Sequence, residues 1–127
     1  MAVILDTNAL SEFLLDSPQV KDVLSSSAFA CLPVIVLGEY RFGAAESRLR
    51  AVLLRKIEEC ERLFPVLEVD RSTARHYADI RQELKRKGRP IPSNDLWISA
   101  LARQHQLPIL SQDAHFDEVA DIRRIGW

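Results

Sequence analysis

The sequence opens with a short apolar run, Ala2-Val3-Ile4-Leu5, that ends at an acidic residue, Asp6. The run is continuous and partly β-branched, which is typical of a strand buried on both faces inside a parallel sheet. In open α/β sheets, ligands bind in the crevice outside the carboxyl ends of the strands. Asp6 is therefore either a helix N-cap or a residue of a functional site. The polar residues Thr7 and Asn8 can cap the following helix or hold Asp6 in place.

The rest of the chain alternates between strand-like and helix-like segments. Further strands are predicted at 28–32, 64–69 and 107–110, with a short edge strand around 123–125. Helices are predicted at 7–15, from Pro18, at 34–45, 47–61, from Ser72 to Gly88, and at 93–105. Strands separated by helices require crossover connections, and these build a mainly parallel sheet with helices on both faces. The predicted fold is a three-layer α/β/α domain with four to five strands.

Length, charge and cysteine content limit the classes of protein that remain. A chain of 127 residues is expected to form one domain, residues 1–127. With a net charge of -1, any nucleic acid must be bound by local basic patches. No apolar run reaches membrane-spanning length and no export signal is visible, so no membrane partner is expected. Cys31 and Cys60 lie far apart in apolar sequence, which favours reduced thiols in a cytoplasmic protein.

Four acidic residues occupy comparable positions around the predicted sheet. Asp6 and Asp113 follow the first and fourth strands, while Asp95 lies in the first turn of the helix that precedes the fourth strand. Glu39 interrupts a helix that is otherwise too apolar to be mainly solvated. Each has an ordinary structural alternative, such as capping or favouring a helix dipole. Taken together, they can converge on one crevice.

Converging carboxylates repel one another unless a cation lies between them. A site made only of oxygen ligands suits a hard ion, Mg²⁺ or Mn²⁺. Such an ion can align a water molecule on a phosphodiester and stabilise the leaving oxygen. The three histidines, His76, His105 and His115, show no metal-ligand spacing, and we interpret them as surface residues.

A basic run precedes the proline-containing loop that leads to Asp95. It consists of Lys85, Arg86, Lys87 and Arg89. These cations can attract a phosphate backbone towards the acidic residues. They are equally suited to a solvated helix end, where positive charge favours the helix dipole. The sequence leaves both interpretations open.

The acidic residues lie in motifs that resemble one known family. These motifs are Ile4-Leu5-Asp6-Thr7-Asn8, Glu39 with Gly43, Asn94-Asp95-Leu96-Trp97-Ile98-Ser99-Ala100 and Leu110-Ser111-Gln112-Asp113-Ala114-His115-Phe116. In their order and spacing they resemble the PIN-domain nucleases, and within them the VapC-like toxins of toxin–antitoxin pairs. The resemblance covers essentially the whole chain.

The resemblance implies a function and a set of site residues. It implies that Asp6, Glu39, Asp95 and Asp113 bind Mg²⁺ or Mn²⁺ and that RNA is cleaved by a metal-activated water. Polar support is expected from Thr7, Asn8, Asn94 and Ser111; family members usually have Thr at the last position. A cognate antitoxin and a homodimer are expected partners.

Asp117 is a further acid close to the fourth position. If residues 114–119 form an α-helical turn, Asp113 and Asp117 share one face at i,i+4 spacing. Asp117 then lies one turn, roughly 5–6 Å, further from the end of the strand. We expect Asp113 to be the ligand and Asp117 to act through water, to cap, or to be solvated.

Two other classes of protein remain as alternatives. A phosphoryl-transfer domain also places an Asp after the first strand of a parallel sheet. The haloacid-dehalogenase-like phosphatases need a second Asp where this chain has Asn8, and response-regulator receivers need a lysine near the last strand, whereas none follows Lys87. The second alternative is a catalytically inactive or regulatory PIN-like RNA-binding module. All four acids are present, which argues against it without establishing turnover.

Overall fold

The computed structural model describes residues 1–127 and contains five strands, six α-helices and one 3₁₀ helix. In chain order these are β1 (Val3–Leu5), α1 (Thr7–Leu14), α2 (Pro18–Ser25), β2 (Ala30–Pro33), α3 (Val34–Ala45), α4 (Arg50–Leu63), β3 (Val66–Leu67), α5 (Arg71–Lys87), α6 (Ser93–His105), β4 (Ile109–Leu110), the 3₁₀ helix (Ala114–Glu118) and β5 (Arg124–Ile125). No helix is both long enough and apolar enough to cross a membrane.

The five strands form one sheet in the order β3-β2-β1-β4-β5, and every neighbouring pair is parallel. Because crossovers between parallel strands are right-handed, helices α1 to α4 lie on one face of the sheet. The chain then passes from β3 at one edge to β4 on the other side of β1. That reversal places α5 and α6 on the opposite face. The predicted α/β/α fold with a parallel sheet is confirmed.

The sheet lies at the centre of the hydrophobic core. The three residues of β1 are at most 1% exposed, as expected for a strand buried on both faces. A smaller second core joins α5 to α6; it contains Ile80, Leu84, Ile91, Leu96, Ala100 and Val119. Cys31 and Cys60 are buried and unpaired, as the sequence predicted.

Two helices begin at residues other than those predicted from the sequence. Helix α5 begins at Arg71, because Asp70 rather than Ser72 accepts a hydrogen bond from the backbone N–H of Thr73. The Thr73 hydroxyl accepts in return from the Asp70 N–H, which completes a capping box. Helix α4 begins at Arg50 because the Ser47 hydroxyl accepts from the Leu49 N–H and forms a turn there.

The C-terminus of α5 provides a test of this local structure. Gly88 has φ +67°, the left-handed conformation that disfavours residues with a Cβ atom. We expect Gly88→Ala to lower the free energy of unfolding by about 1–2 kcal/mol. Gly38 lies within α3, where an added Cβ meets nothing within 4 Å. The control Gly38→Ala should therefore raise that free energy by about 0.5–1 kcal/mol. Urea unfolding measures both, and effects of the same sign would contradict this assignment.

Candidate active site

The candidate site lies where the order of the strands reverses. From β1 the chain proceeds to β2 and β3 on one side, and β4 then pairs with β1 on the other side. The connections leaving β1 and β4 diverge at this point and open a crevice at the carboxyl ends of the two strands. Asp6 follows β1, and Ser111 to Asp113 follow β4. The crevice is where the sequence placed a functional site.

Asp6 is buried, with 5% of its surface exposed. Its backbone N–H donates to the carbonyl of Leu110 at 3.1 Å, which extends the pairing of β1 with β4. Its carboxylate accepts hydrogen bonds from the Thr7 N–H at 2.8 Å and the Ser111 hydroxyl at 2.6 Å. Asp6 is thus the N-cap of α1 and also lies in the crevice, so the two roles considered from the sequence occur together.

Ser111 connects several polar groups of the crevice. Its hydroxyl is fully buried, and besides donating to Asp6 it accepts from the Asp113 N–H at 2.9 Å. The side-chain amide of Asn8 donates to the same hydroxyl at 3.2 Å and to Asp6 at 3.4 Å. Asn8 also accepts from the Gln112 N–H at 3.3 Å. Thr7, Asn8 and Ser111, three of the residues expected to give polar support, therefore donate to Asp6, and Asn8 and Ser111 join the ends of β1 and β4.

Glu39 reaches the same region from α3. It is half-buried, and its Oε1 accepts a hydrogen bond from the Thr7 hydroxyl at 3.1 Å. Burial raises the pKa of Asp6 above its ordinary value, and the negative charges of Glu39 and Asp113 add to this effect. The hydrogen bonds from Ser111 and Thr7 act in the opposite direction. Glu39 is thus close enough to Asp6 for their charges to repel.

His115 is a residue of the crevice whose role the sequence interpretation missed. Its Nδ1 lies 3.0 Å from Asp95 Oδ2 and 2.9 Å from Asp113 Oδ1. Half of its side chain is exposed, so it does lie at the surface, but it also contacts two of the four acids. The available signal was its position two residues after Asp113, in a segment that leaves the sheet at the crevice.

Asp95 has the most strongly shifted acid pKa of the site, raised to about 6. Burial is the main cause, and the charges of Asp113 and Asp6 add to it, whereas the hydrogen bond with His115 lowers it. The pKa of His115 is raised in turn, chiefly by its bond to Asp95. Among the basic residues, His115 alone has a nitrogen within 4 Å of Asp6, Glu39, Asp95 or Asp113. This set of carboxylates therefore fits a divalent cation.

Asp117 lies apart from the other acids because its carboxylate is paired with Arg124. Nε and Nη2 of Arg124 each donate to one Asp117 oxygen at 2.9 Å, and this pairing lowers the pKa of Asp117. Ala114–Glu118 is a 3₁₀ helix with about three residues per turn, so the i,i+4 spacing considered for an α-helical turn does not apply. At that period residues four apart do not share a face, so Asp117 points away from Asp113.

The remaining predicted site residues lie in the first turn of α6, in the last turn of α5 and in the loop between these helices. Asn94 is exposed in the first turn of α6. Lys87 donates to the Glu118 carbonyl at 2.6 Å, and the Glu118 carboxylate lies 4.0 Å from Arg89. This part of the basic run is therefore held against the 3₁₀ helix. Lys85 and Arg86 are exposed in the last turn of α5.

The pKa shifts predict how the stability of the metal-free protein depends on pH. Between about 4, where an aspartate titrates in an unfolded chain, and about 6, the folded protein binds more protons than the unfolded chain through Asp95. The free energy of unfolding should therefore fall as pH rises through this window. The raised pKa of His115 should continue that fall at higher pH.

Thermal unfolding in EDTA between pH 5 and 8 measures this dependence. We expect Asp95→Asn to make it shallower, because the variant removes one raised pKa and the main cause of the other. Asp117→Asn is the matched control and should keep the wild-type slope, since the lowered pKa of Asp117 lies below this range. An unchanged slope in Asp95→Asn would contradict the assignment.

Comparison with known proteins places this geometry in a family. A model of the PIN domain matches residues 3–122. Ribonuclease VapC5 of Mycobacterium tuberculosis is 38% identical over 86 residues, which cover 65% of this chain and 63% of that protein, slightly less than two thirds of its length. The tRNA(fMet)-specific endonuclease VapC of Shigella flexneri is 33% identical over 98 residues, covering 76% of this chain and 74% of that protein.

Solved structures of related proteins have the same fold as this chain. The crystal structure of DNA-bound VapBC from Salmonella typhimurium has a chain that superposes with a TM-score of 0.90 at 27% identity, over 100% of this chain and 98% of that one. The similarity therefore extends over the complete parallel sheet and all of the residues that line the crevice. Because the family model spans nearly the whole chain and the relatives agree with it, the chain belongs to the PIN-domain family.

Proposed function

We propose that this protein is a ribonuclease that hydrolyses RNA phosphodiester bonds with Mg²⁺ or Mn²⁺, and that it is the toxin of a toxin–antitoxin pair. The observation that carries the proposal is the convergence of Asp6, Asp95 and Asp113, with Glu39 beside them, at the carboxyl ends of β1 and β4. The names of the relatives support it, since VapC5 is called a ribonuclease and the Shigella protein an endonuclease.

The chain's residues have distinct roles in this proposal. Asp6, Asp95 and Asp113 hold the ion. Glu39, which accepts a hydrogen bond from the Thr7 hydroxyl, binds the ion or orients a water molecule. Ser111 and Asn8 fix the orientation of Asp6 by hydrogen bonds to its carboxylate. When bound, the ion supplies Lewis acidity, which activates water for attack on phosphorus and stabilises the leaving oxygen. Membership of the PIN-domain family argues against the phosphoryl-transfer alternative.

Cleavage of a fluorophore-quenched RNA tests both the activity and the ligand set. We expect cleavage with Mg²⁺ or Mn²⁺ and none in EDTA. Asp6→Asn and Asp113→Asn should each lower the rate by about 100-fold or more, because loss of a ligand should exceed the roughly 10–100-fold effect of losing its support. Asp117→Asn should retain a substantial part of the activity, since Asp117 is paired with Arg124.

Two outcomes would contradict these assignments. Full metal-dependent cleavage by pure Asp6→Asn protein would remove Asp6 from the ligand set. If Asp117→Asn were as damaging as Asp113→Asn, the fourth ligand would be wrongly assigned. A folded wild-type protein that binds RNA but does not cleave it with either ion would instead favour the inactive RNA-binding module.

We propose that RNA is bound in a groove between α5 and the loop before α6. The groove has a volume of about 550 Å³, contains no carboxylate in its lining, and is bordered by Tyr77, Arg81, Lys85 and Ser93. Arg81 lies over the Tyr77 ring, 5.9 Å from its centroid, and neither Arg81 nor Lys85 forms a salt bridge. Exposed cations without acidic partners suit the phosphate backbone of a single strand. Ser93 lies two residues before Asp95, so the groove adjoins the α6 terminus that carries the site.

This RNA contact predicts a specific salt dependence. Lys85→Gln should weaken RNA binding and reduce the slope of log affinity against log salt by roughly 0.7, the value for one lost contact to a single strand. The rate at saturating RNA should stay unchanged. Lys21→Gln is the matched control, because the Lys21 ammonium is already paired with Asp16 at 2.7 Å. Fluorescence anisotropy at several salt concentrations measures the effect, and equal effects of the two variants would refute a contact at Lys85.

An antitoxin partner is part of the proposal. An apolar groove of about 360 Å³ runs from Thr7 and Glu39 along α1, α3 and the start of α4. Its rim includes Leu15 and Leu49, which are 71% and 61% exposed. Exposed leucines beside a candidate active site suit a protein segment that would cover it. The Salmonella structure contains VapBC. We propose that a cognate antitoxin binds in this groove. We also propose that the protein is a cytoplasmic homodimer.

A further inference from the structure

The side chain of His115 is held in a geometry that matches the coordination of a metal ion. One ligand atom each from Asp95, Asp113 and His115 lie within 4.8 Å of one another. The backbone N–H of His115 donates to Asp113 Oδ1 at 2.9 Å, so the start of the 3₁₀ helix fixes the histidine against that carboxylate. The backbone of His115 is therefore anchored to the same carboxylate that its imidazole contacts.

The distances agree with neighbouring positions of an octahedral ion. Two ligands at right angles, each bonded at about 2.0–2.1 Å, are separated by roughly 3 Å. His115 Nδ1 lies 3.0 Å from Asp95 Oδ2 and 2.9 Å from Asp113 Oδ1. A cation could therefore take the place of the Nδ1 proton between three ligand atoms that all lie within 4.8 Å of one another.

We propose that His115 is a further protein ligand, through Nδ1, of the ion that Asp6, Asp95 and Asp113 hold, and that it makes the site prefer first-row transition ions such as Mn²⁺ over Mg²⁺. The proposal rests on the proposed function, since it concerns the catalytic ion that these acids hold. Imidazole is a good ligand for transition metals, whereas Mg²⁺ prefers oxygen ligands and retains its waters. A nitrogen ligand among carboxylates therefore shifts selectivity without changing the charge of the site.

A different role for His115 accounts for the same distances. As a protonated imidazolium, it would act only as a counter-ion that neutralises the two carboxylates. The two roles have opposite consequences for metal binding. Removing a counter-ion would strengthen the binding of every divalent cation, because the cation would no longer displace a positive charge. Removing a ligand would weaken the binding of transition ions and leave Mg²⁺ binding nearly unchanged.

Calorimetric titration of the RNA-free protein with MgCl₂, MnCl₂ and CoCl₂ distinguishes these roles. We expect the wild type to bind Mn²⁺ and Co²⁺ more tightly than Mg²⁺. His115→Gln should weaken Mn²⁺ and Co²⁺ binding by roughly tenfold or more. Its Mg²⁺ affinity should change much less. His105→Gln is the matched control, because His105 is exposed in the last turn of α6, at the end far from Asp95.

A second measurement needs no substitution. Imidazole nitrogen NMR of the wild type with Zn²⁺ should show a large change at His115 Nδ1 and none at His105. An unchanged Nδ1 signal, equal loss of affinity for Mg²⁺ and Mn²⁺, or a gain for all ions in His115→Gln would each overturn the proposal.

The outcomes also separate this proposal from the proposed function. Binding of Mn²⁺ that depends on His115, in a protein that cleaves no RNA, would support the ligand and refute the nuclease. RNA cleavage by the wild type with no change of ion selectivity in His115→Gln would support the nuclease and refute the ligand.

Discussion

The parallel pairing of β1 with β4 is the interaction on which the site depends. Leu5 is in register with Leu110, and the Asp6 N–H continues the ladder to the Leu110 carbonyl. This register places the residue after each strand next to its counterpart, so that the Ser111 hydroxyl donates to the Asp6 carboxylate at 2.6 Å. A slip of one residue would turn the side chains of one strand to the other face and would separate this pair.

The cost of this arrangement is a set of acids held where charge is poorly solvated. Burial raises the pKa values of Asp6 and Asp95, and the neighbouring acids add to both shifts. The hydrogen bonds from Thr7 and Ser111 offset part of this cost at Asp6, as the contact with His115 does at Asp95. The fold thus reduces this cost without removing the mutual repulsion of the acids, which a bound cation would relieve.

Local geometry decides which of the nearby polar residues belong to the site. Asp113 caps the 3₁₀ helix and remains next to Asp95, whereas Asp117 is turned towards Arg124 by the tighter helical period. The same tight turn brings His115 back to Asp95 and Asp113. An α-helical turn, the arrangement considered from the sequence, would have put Asp117 on the same face as Asp113. Spacing alone left His115 among the surface residues.

The sequence by itself determined the order of strands and helices, the α/β class, and the positions of the four acids: two after strands, one at a helix start and Glu39 within an apolar helix. It could do so because buried strands, helical periodicity and the glycine at 88 are local signals carried by neighbouring residues. Only the tertiary structure decided that Asp117 pairs with Arg124, that Lys87 and Arg89 contact Glu118, and that His115 reaches Asp95. These contacts join residues on different elements, and their side-chain directions depend on the period of one short helix and the packing of α5 and α6 against each other.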